Sequence, residues 1–385
     1  MYRHHATNPR GNERGATVVV VALAMTGLLS VVALAVDVGM LLTARTEAQR
    51  AADAGALAGA AMLITNPGAD LPARQEARLY AQLNTVLNQP VQVDLNEDID
   101  VDLANERVTV RVRRDDLRGG PVATWFARIF GVDVVDIAAV ATAETDPAGS
   151  AACVKPFTIY DKFDDRNDNG VFDPGIDEYD PATTGYGSSW RNPGEPGDDG
   201  QGYINDLGFP IVLKGNAKDG DPCCPGTGPS WYYPWAMPDP DGGSGRGASA
   251  YRANIAACNP SLISIGVEYD VEPGNMNGPT RQGVEELISQ DPFAQWDPLT
   301  NQVVGSDYTP WHNSPRIGIV PVFNPSREFD PGRKPIEFSG FLAVFFERVT
   351  GNGNNQKVEG RILYSVGIGG QSGASGTTKY VHLVQ

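Results

Sequence analysis

Histidine is scarce in this chain, with only 4 among 385 residues, and two of them, His4 and His5, precede its one long apolar run. That leaves His312, in a WHNSP loop, and His382, near the C-terminal end, as the remaining imidazoles. The nucleophile-elbow, H-E-x-x-H, phosphate-loop and dinucleotide-binding motifs are all missing. A lone loop histidine is more often a surface residue than a base. No catalytic residue is therefore assigned, and neither an enzyme nor a small-molecule substrate is expected. Basic residues are also few, 30 Lys+Arg against 47 Asp+Glu, for a net charge of −17. That balance excludes nucleic acid as a partner, because phosphate binding needs a basic surface.

Cysteine is equally sparse. Cys153, Cys223, Cys224 and Cys258 all follow the apolar run, on the side where disulfides can persist. Four cysteines allow three pairings. A bond between the adjacent Cys223 and Cys224 forces a strained linkage, so Cys153 and Cys258 are each expected to join one of that pair. A zinc site would call for C-x-x-C spacing or histidine partners, and the spacing here is CC.

Charge and proline are absent where their absence matters most. Thr17–Val36 is a run of 20 uncharged residues, about 30 Å of helix at 1.5 Å per residue, enough to cross the hydrocarbon core of a bilayer. No proline interrupts the chain from there to Asn66, so the span flows into the alanine-rich segment RAADAGALAGAAML. A cleaved signal would have a shorter apolar core and a compact small-residue cleavage site. Arg3, Arg10 and Arg14 precede the run against Glu13 alone, whereas Arg45 and Arg50 beyond it are balanced by Asp37, Glu47 and Asp53. The positive-inside rule then retains the N-terminus in the cytoplasm and exports the remainder. Asp37 is expected either at the outer headgroup boundary facing water or paired with a neighbouring subunit, because a carboxylate inside a span needs one or the other.

The expected fold class is α+β. A cytoplasmic tail (1–16) precedes a transmembrane helix (17–43), and a helix plus small α+β module follows (44–147). A mostly antiparallel, loop-rich, disulfide-stabilised domain occupies 150–385. Within the module, 73–89 reads as a helix with an apolar stripe of Ala77, Leu79, Tyr80, Leu83, Val86 and Leu87. Residues 91–115 alternate with period two around a turn at Asn105, PVATWFARIFG (121–131) reads as a short helix, and 136–145 as a returning strand. In the last domain, β-type runs fall at 210–215, 262–272, 316–323, 338–349 and 357–367. The final two flank GNGNN as a hairpin, and 278–291 is helical with Pro279 at its first position. Gly55 and Gly59 form a GxxxG pair among alanines at helical spacing, a face suited to close packing either within the chain or with a second helix in an assembly.

Arg14-Gly15-Ala16, the AVDVG of residues 35–39 and the alanine-rich helix from Gln49 to Ala60 resemble the N-terminal region of TadE/TadG-like proteins of Flp (tight-adherence) pilus assembly. That resemblance implies a structural or assembly component of such a pilus. It would be a single-pass protein of the bacterial cell membrane, with its C-terminal domain periplasmic or extracellular. Its partners would be the membrane and other pilus assembly proteins or further copies of itself. Type IV pilins carry glutamate five residues after the processing glycine, and Val20 stands there, so a permanent anchor is expected. No D-x-S-x-S triplet is present, so an integrin-type adhesive site does not carry over.

One ligand constellation stands out. Asp161 to Asp199 holds 11 acidic residues against Lys162, Arg166 and Arg191. Within it, Asp165, Asn167, Asn169 and Asp173 fall at positions 1, 3, 5 and 9 of an EF-hand-type order, with Gly170 at the turn and the Val171 carbonyl at position 7. Ile176 replaces the glutamate of position 12, and Asp177 or Glu178 is expected to substitute. A structural Ca²⁺ is the expected cofactor. A membrane-tethered, calcium-dependent binding or adhesin module is accordingly the alternative function.

Overall fold

The computed structural model describes residues 13–163, 166, 172–179, 206–215, 234–242, 245–326, 335–367 and 375–384. It begins with one helix of 53 residues, α1 (Glu13–Thr65). Alanine and leucine favour helix, and no proline breaks the backbone ladder. The hydroxyls of Thr26, Ser30, Thr43 and Thr46 donate to carbonyls four residues back, at 2.8–2.9 Å, so they are satisfied without water. Side chains from Thr17 to Val36 are exposed except at Ala33, which is partly covered. From Ala44 onward one face closes, with Ala44, Ala48, Ala51, Ala52 and Ala56 fully buried.

The chain divides into two compact units, the first comprising the chain through Gly59, Asp70–Ala143 and the residues from Leu383, the second Ala60–Ala69 and Glu144–His382. In the first unit a second helix, α2 (Asp70–Gln82), is shorter than the sequence suggests, and of the expected stripe only Ala77 within it and Val86 beyond it are buried. It buries Ala73, Ala77 and Ala81, while Leu79, Tyr80 and Leu83 are exposed. The reason is the close approach of α1. A Cβ on Gly55 would lie 2.8 Å from the Ala77 carbonyl oxygen and 3.1 Å from the Ala81 Cβ. Only small side chains fit at that separation, so the alanines take the interface and the larger residues turn outward.

Strands β1 (Ile99–Asp102) and β2 (Arg107–Arg114) pair antiparallel, Ile99 opposite Val110 and Asp102 opposite Arg107. Val108, Val110 and Val112 point inward with period two, as the alternation requires. The turn is held by the Asp102 carboxylate, which accepts the Ala104 and Asn105 amides at 3.1 and 3.2 Å. Buried Asp98 braces the unit, accepting from Arg113 Nη2 and Arg118 Nε at 2.5 Å each. Residues 121–131 are not the expected short helix. They supply the first strand and the loop of a small hairpin of β3 (Val122–Ala123) and β4 (Val134–Val135), with one 3-10 turn, Ala127–Phe130, between the strands. The backbone reverses at Gly131, with φ at 86°, before a helical ladder can propagate. Strand β5 (Ile137–Pro147) follows, and its residues as far as Ala143 belong to this unit.

The second unit is built on a seven-stranded sheet. Its elements are β6 (Ile159–Tyr160), β7 (Pro210–Lys214), α3 (Ala248–Ala256), β8 (Glu268–Tyr269), α4 (Asn277–Ser289), β9 (Ile317–Phe323), β10 (Ile336–Thr350), β11 (Lys357–Leu363) and β12 (Ser375–Gly376). The order β7-β11-β10-β9-β6 is antiparallel except at the β9–β6 edge, and β8 and β12 add to β10. Phe341 to Phe346 of β10 are all fully buried, so this central strand is covered on both faces. Its unbroken apolar run therefore has a packing cause. Trp235, Tyr269 and Phe338 form an aromatic cluster with ring centroids 4.9–5.4 Å apart, and the Trp235 indole donates to the Phe157 carbonyl at 3.2 Å. Helix α4 starts and ends close to its sequence signals, whereas α3 carries none. They approach closely at Gly283, where an added Cβ would lie 2.8 Å from the Ile255 Cβ.

Candidate functional site

The feature that distinguishes the first unit lies where the uncharged stretch of α1 ends. Asp37 is the first charge after Thr17, and its side chain is 1% exposed. It neither faces water nor awaits another subunit. Oδ1 accepts the Trp125 amide at 2.9 Å, and Oδ2 accepts the amides of Phe126 and Ala127 at 2.9 and 2.6 Å. These are the free N–H groups at the start of the 3-10 turn, the place where a carboxylate is best received. The loop is closed from its other side. The Thr124 hydroxyl donates to the Val132 carbonyl at 2.5 Å, and the Thr124 amide donates to Asp133 at 3.0 Å. The signal for this contact was legible in part, since a carboxylate at the end of a span requires a partner. Nothing in the local pattern showed that the partner lies 88–90 residues away.

About five turns further along α1, Gly55 and Gly59 meet their own module. A Cβ on Gly59 would lie 2.8 Å from Val108 Cγ1, 3.0 Å from the Ala77 Cβ and 3.2 Å from the Ala73 carbonyl oxygen. The GxxxG face is thus filled by α2 and β2 of the same chain. Glu47 adds a polar tie, accepting the Leu87 amide at 2.6 Å, and Gln49 donates to the Val140 carbonyl at 3.1 Å.

Residues 15–62 match the family model described as "Putative Flp pilus-assembly TadE/G-like". The N-terminal segment is TadE/G-like. The match falls on α1, which is long and apolar enough by length and composition to cross a membrane. It stops at Met62, so most of the chain lies beyond the TadE/G-like segment. The matched family is one of pilus assembly rather than of catalysis. No curated protein and no solved structure matches the chain.

The other sequence-predicted residues separate into two groups. Cys153 and Cys258 are bonded to each other, across a sequence separation of 105 and a Cα–Cα distance of 4.4 Å. This corrects the expectation that each joins one of the adjacent pair; Cys223 and Cys224 lie outside the described residues. The cause is a pairing that local sequence does not reveal. Ser150–Ala151 pairs with Ile263–Ser264, and the Cys153 amide donates to the Asn259 carbonyl at 3.0 Å, which sets the two thiols face to face. Of the calcium constellation, Asp165, Asn167, Asn169 and Val171 also lie outside the described residues. Asp173 and Asp177 form a tight turn in which the Asp177 carboxylate accepts the Arg166 amide at 2.9 Å and the Asp173 amide at 2.6 Å. Asp177 is 8% exposed, so the turn presents a buried carboxylate at the end of the candidate loop.

The two remaining histidines have different neighbours. His312 stacks on Trp311 and lines a cleft of about 220 Å³ whose wall contains no carboxylate, and burial lowers its pKa. His382 lies 3.3 Å from Glu144 and stacks on Tyr380.

Proposed function

We propose that this chain is a structural component of Flp-type pilus assembly, held in the membrane by α1. The tail before Thr17 is cytoplasmic, and the module and the β-rich unit are exported to the periplasm or the cell surface. The observation that carries this reading is that the TadE/G-like match falls on a helix with two distinct halves. Its first half exposes an uncharged apolar surface suited to lipid, and its second half packs into a folded module. Such a continuous helix transmits the position of the span directly to the exported module, as an anchoring subunit requires. Partners are other pilus-assembly proteins or a second copy of this chain, and the outward Leu79 and Tyr80 of α2, with Leu83 just beyond it, offer an apolar stripe for them. The function requires no catalytic chemistry.

A calcium-dependent adhesin tethered to the membrane is the second reading, favoured by the buried Asp177 carboxylate ending the 165–177 loop. One experiment separates the two. The full-length chain is extracted from native membranes in detergent and affinity-purified in calcium and in EDTA, and co-purifying proteins are identified by mass spectrometry. Pilus-assembly proteins retained in both buffers support the first reading. Their absence, together with glycan or surface binding lost in EDTA, replaces it with the second.

A further inference from the structure

The loop that caps Asp37 exposes more apolar surface than its own organisation explains. Trp125 is 67% exposed, Ile129 75% and Phe130 74%, with Phe126 at 39% beside them. The loop is nevertheless ordered by a two-strand hairpin, the Thr124 hydroxyl bonds and three amide bonds to Asp37. A loop held this firmly with its aromatic residues turned outward is shaped for an apolar medium.

Its place along α1 identifies that medium. The uncharged residues end at Val36, so Asp37 marks the outer edge of the hydrocarbon layer. The next fully buried residue of α1 is Ala44, on the same helix face as Asp37 but seven residues later. Between them Val38 and Leu42 are exposed, and Met40 and Leu41 are only partly covered. The loop therefore reaches back about 10 Å along α1, at 1.5 Å per residue, from the module body to the membrane edge. Tryptophan is favoured at headgroup depth, where its ring is apolar and its N–H meets water, and neighbouring phenylalanine and isoleucine bury their apolar side chains at the headgroup/acyl boundary. Arg128, exposed in the same turn, supplies a cation at that depth.

We propose that residues 123–134 form a membrane foot: Trp125, Phe126, Ile129 and Phe130 insert into the outer interfacial region of the bilayer that α1 crosses, and Asp37 fixes the foot to the helix at that depth. The proposal rests on the reading of α1 as a membrane anchor. A helix and a foot together make two attachments, which set the tilt of the exported module instead of leaving it free about one stem.

The test uses the full-length chain in phosphatidylcholine/phosphatidylglycerol vesicles. The tryptophan emission of the wild type minus that of Trp125→Phe isolates residue 125. In vesicles with acyl chains brominated at carbons 6 and 7, that difference signal should fall about two-fold relative to unbrominated lipid, and less with bromines at carbons 11 and 12, as expected for interfacial depth. As a second variant, Ile129→Asp/Phe130→Asp should weaken the quenching while the protein still floats with vesicles. A difference signal unaffected by bromine, in protein that floats, overturns the foot and leaves the anchor intact. Protein that fails to float overturns the anchor reading and the foot with it.

Discussion

Replacing Gly59 tests whether the small-residue face of α1 serves its own chain or another. Alanine in place of glycine favours the helix by about 1 kcal/mol. Against this, the new Cβ would sit 2.8 Å from Val108 Cγ1, 3.0 Å from the Ala77 Cβ and 3.2 Å from the Ala73 carbonyl oxygen. Two of these neighbours belong to a helix that cannot retreat without opening the α1–α2 contact, and such overpacking costs about 1–3 kcal/mol. The expected net loss for Gly59→Ala is therefore about 1 kcal/mol. For Gly59→Leu, whose further carbons point into the same wall, about 3 kcal/mol or more is expected. Gly39, with nothing within 4 Å of its added Cβ, is the control, and Gly39→Ala should be neutral or mildly stabilising. Hydrogen exchange of the full-length chain in nanodiscs reads the result in peptides covering 70–82 and 107–114. Each 1.4 kcal/mol corresponds to about a ten-fold rise in opening. Gly59→Leu should thus accelerate exchange there by about a hundred-fold, with self-association unchanged. Unchanged exchange with altered self-association would refute the intramolecular packing of this face.

Two further outcomes follow from the second unit. Non-reducing peptide mapping should recover Cys153 linked to Cys258, and Cys153→Ser should lower the stability of this unit by about 3–5 kcal/mol, the range for a closed loop of that length; a Cys153 peptide linked to Cys223 or Cys224 contradicts the pairing. Lys155 is 4% exposed, its ammonium donates to the Ile255 and Ala257 carbonyls at 2.8 and 2.9 Å, and burial lowers its pKa to about 8. Below that pH both folded and unfolded chains hold the proton; between it and the ordinary lysine value of 10.5 only the unfolded chain does. The Lys155 contribution to stability must therefore rise as pH climbs through this window, by about 3 kcal/mol in all. Urea unfolding of the wild type minus Lys155→Met at several pH values measures it, and a flat difference rejects the shift.

Elements with strong one-dimensional periodicity were legible directly. The strands at 107–114, 317–323 and 336–350 and the helix at 277–289 fall where alternation, apolar runs and proline placement put them. The inward face of α2 was not. Leu79 and Leu83 are the more apolar residues, yet Ala77 and Ala81 are buried, because the neighbour is a helix with glycine at the contact. Hydropathy ranks side chains by affinity for an apolar surrounding and carries no information about the separation of backbones. The short helix expected at 121–131 failed for a related reason: its residues are held by contacts from Asp37 and Thr124 rather than by a local ladder.

Read along the chain, the residues specify a 20-residue stretch without charge, an unbroken continuation into alanine-rich helix, and the TadE/G-like signature carried there. These are properties of consecutive residues, and the cost of placing charge or broken backbone in hydrocarbon is paid locally. Tertiary structure alone decided where Asp37 finds its donors, which thiols meet and which residues fill the GxxxG groove. Each of those depends on residues from 14 (Gly59 to Ala73) to 105 (Cys153 to Cys258) positions apart being brought within a few ångströms, and only the packing of the whole unit specifies such meetings.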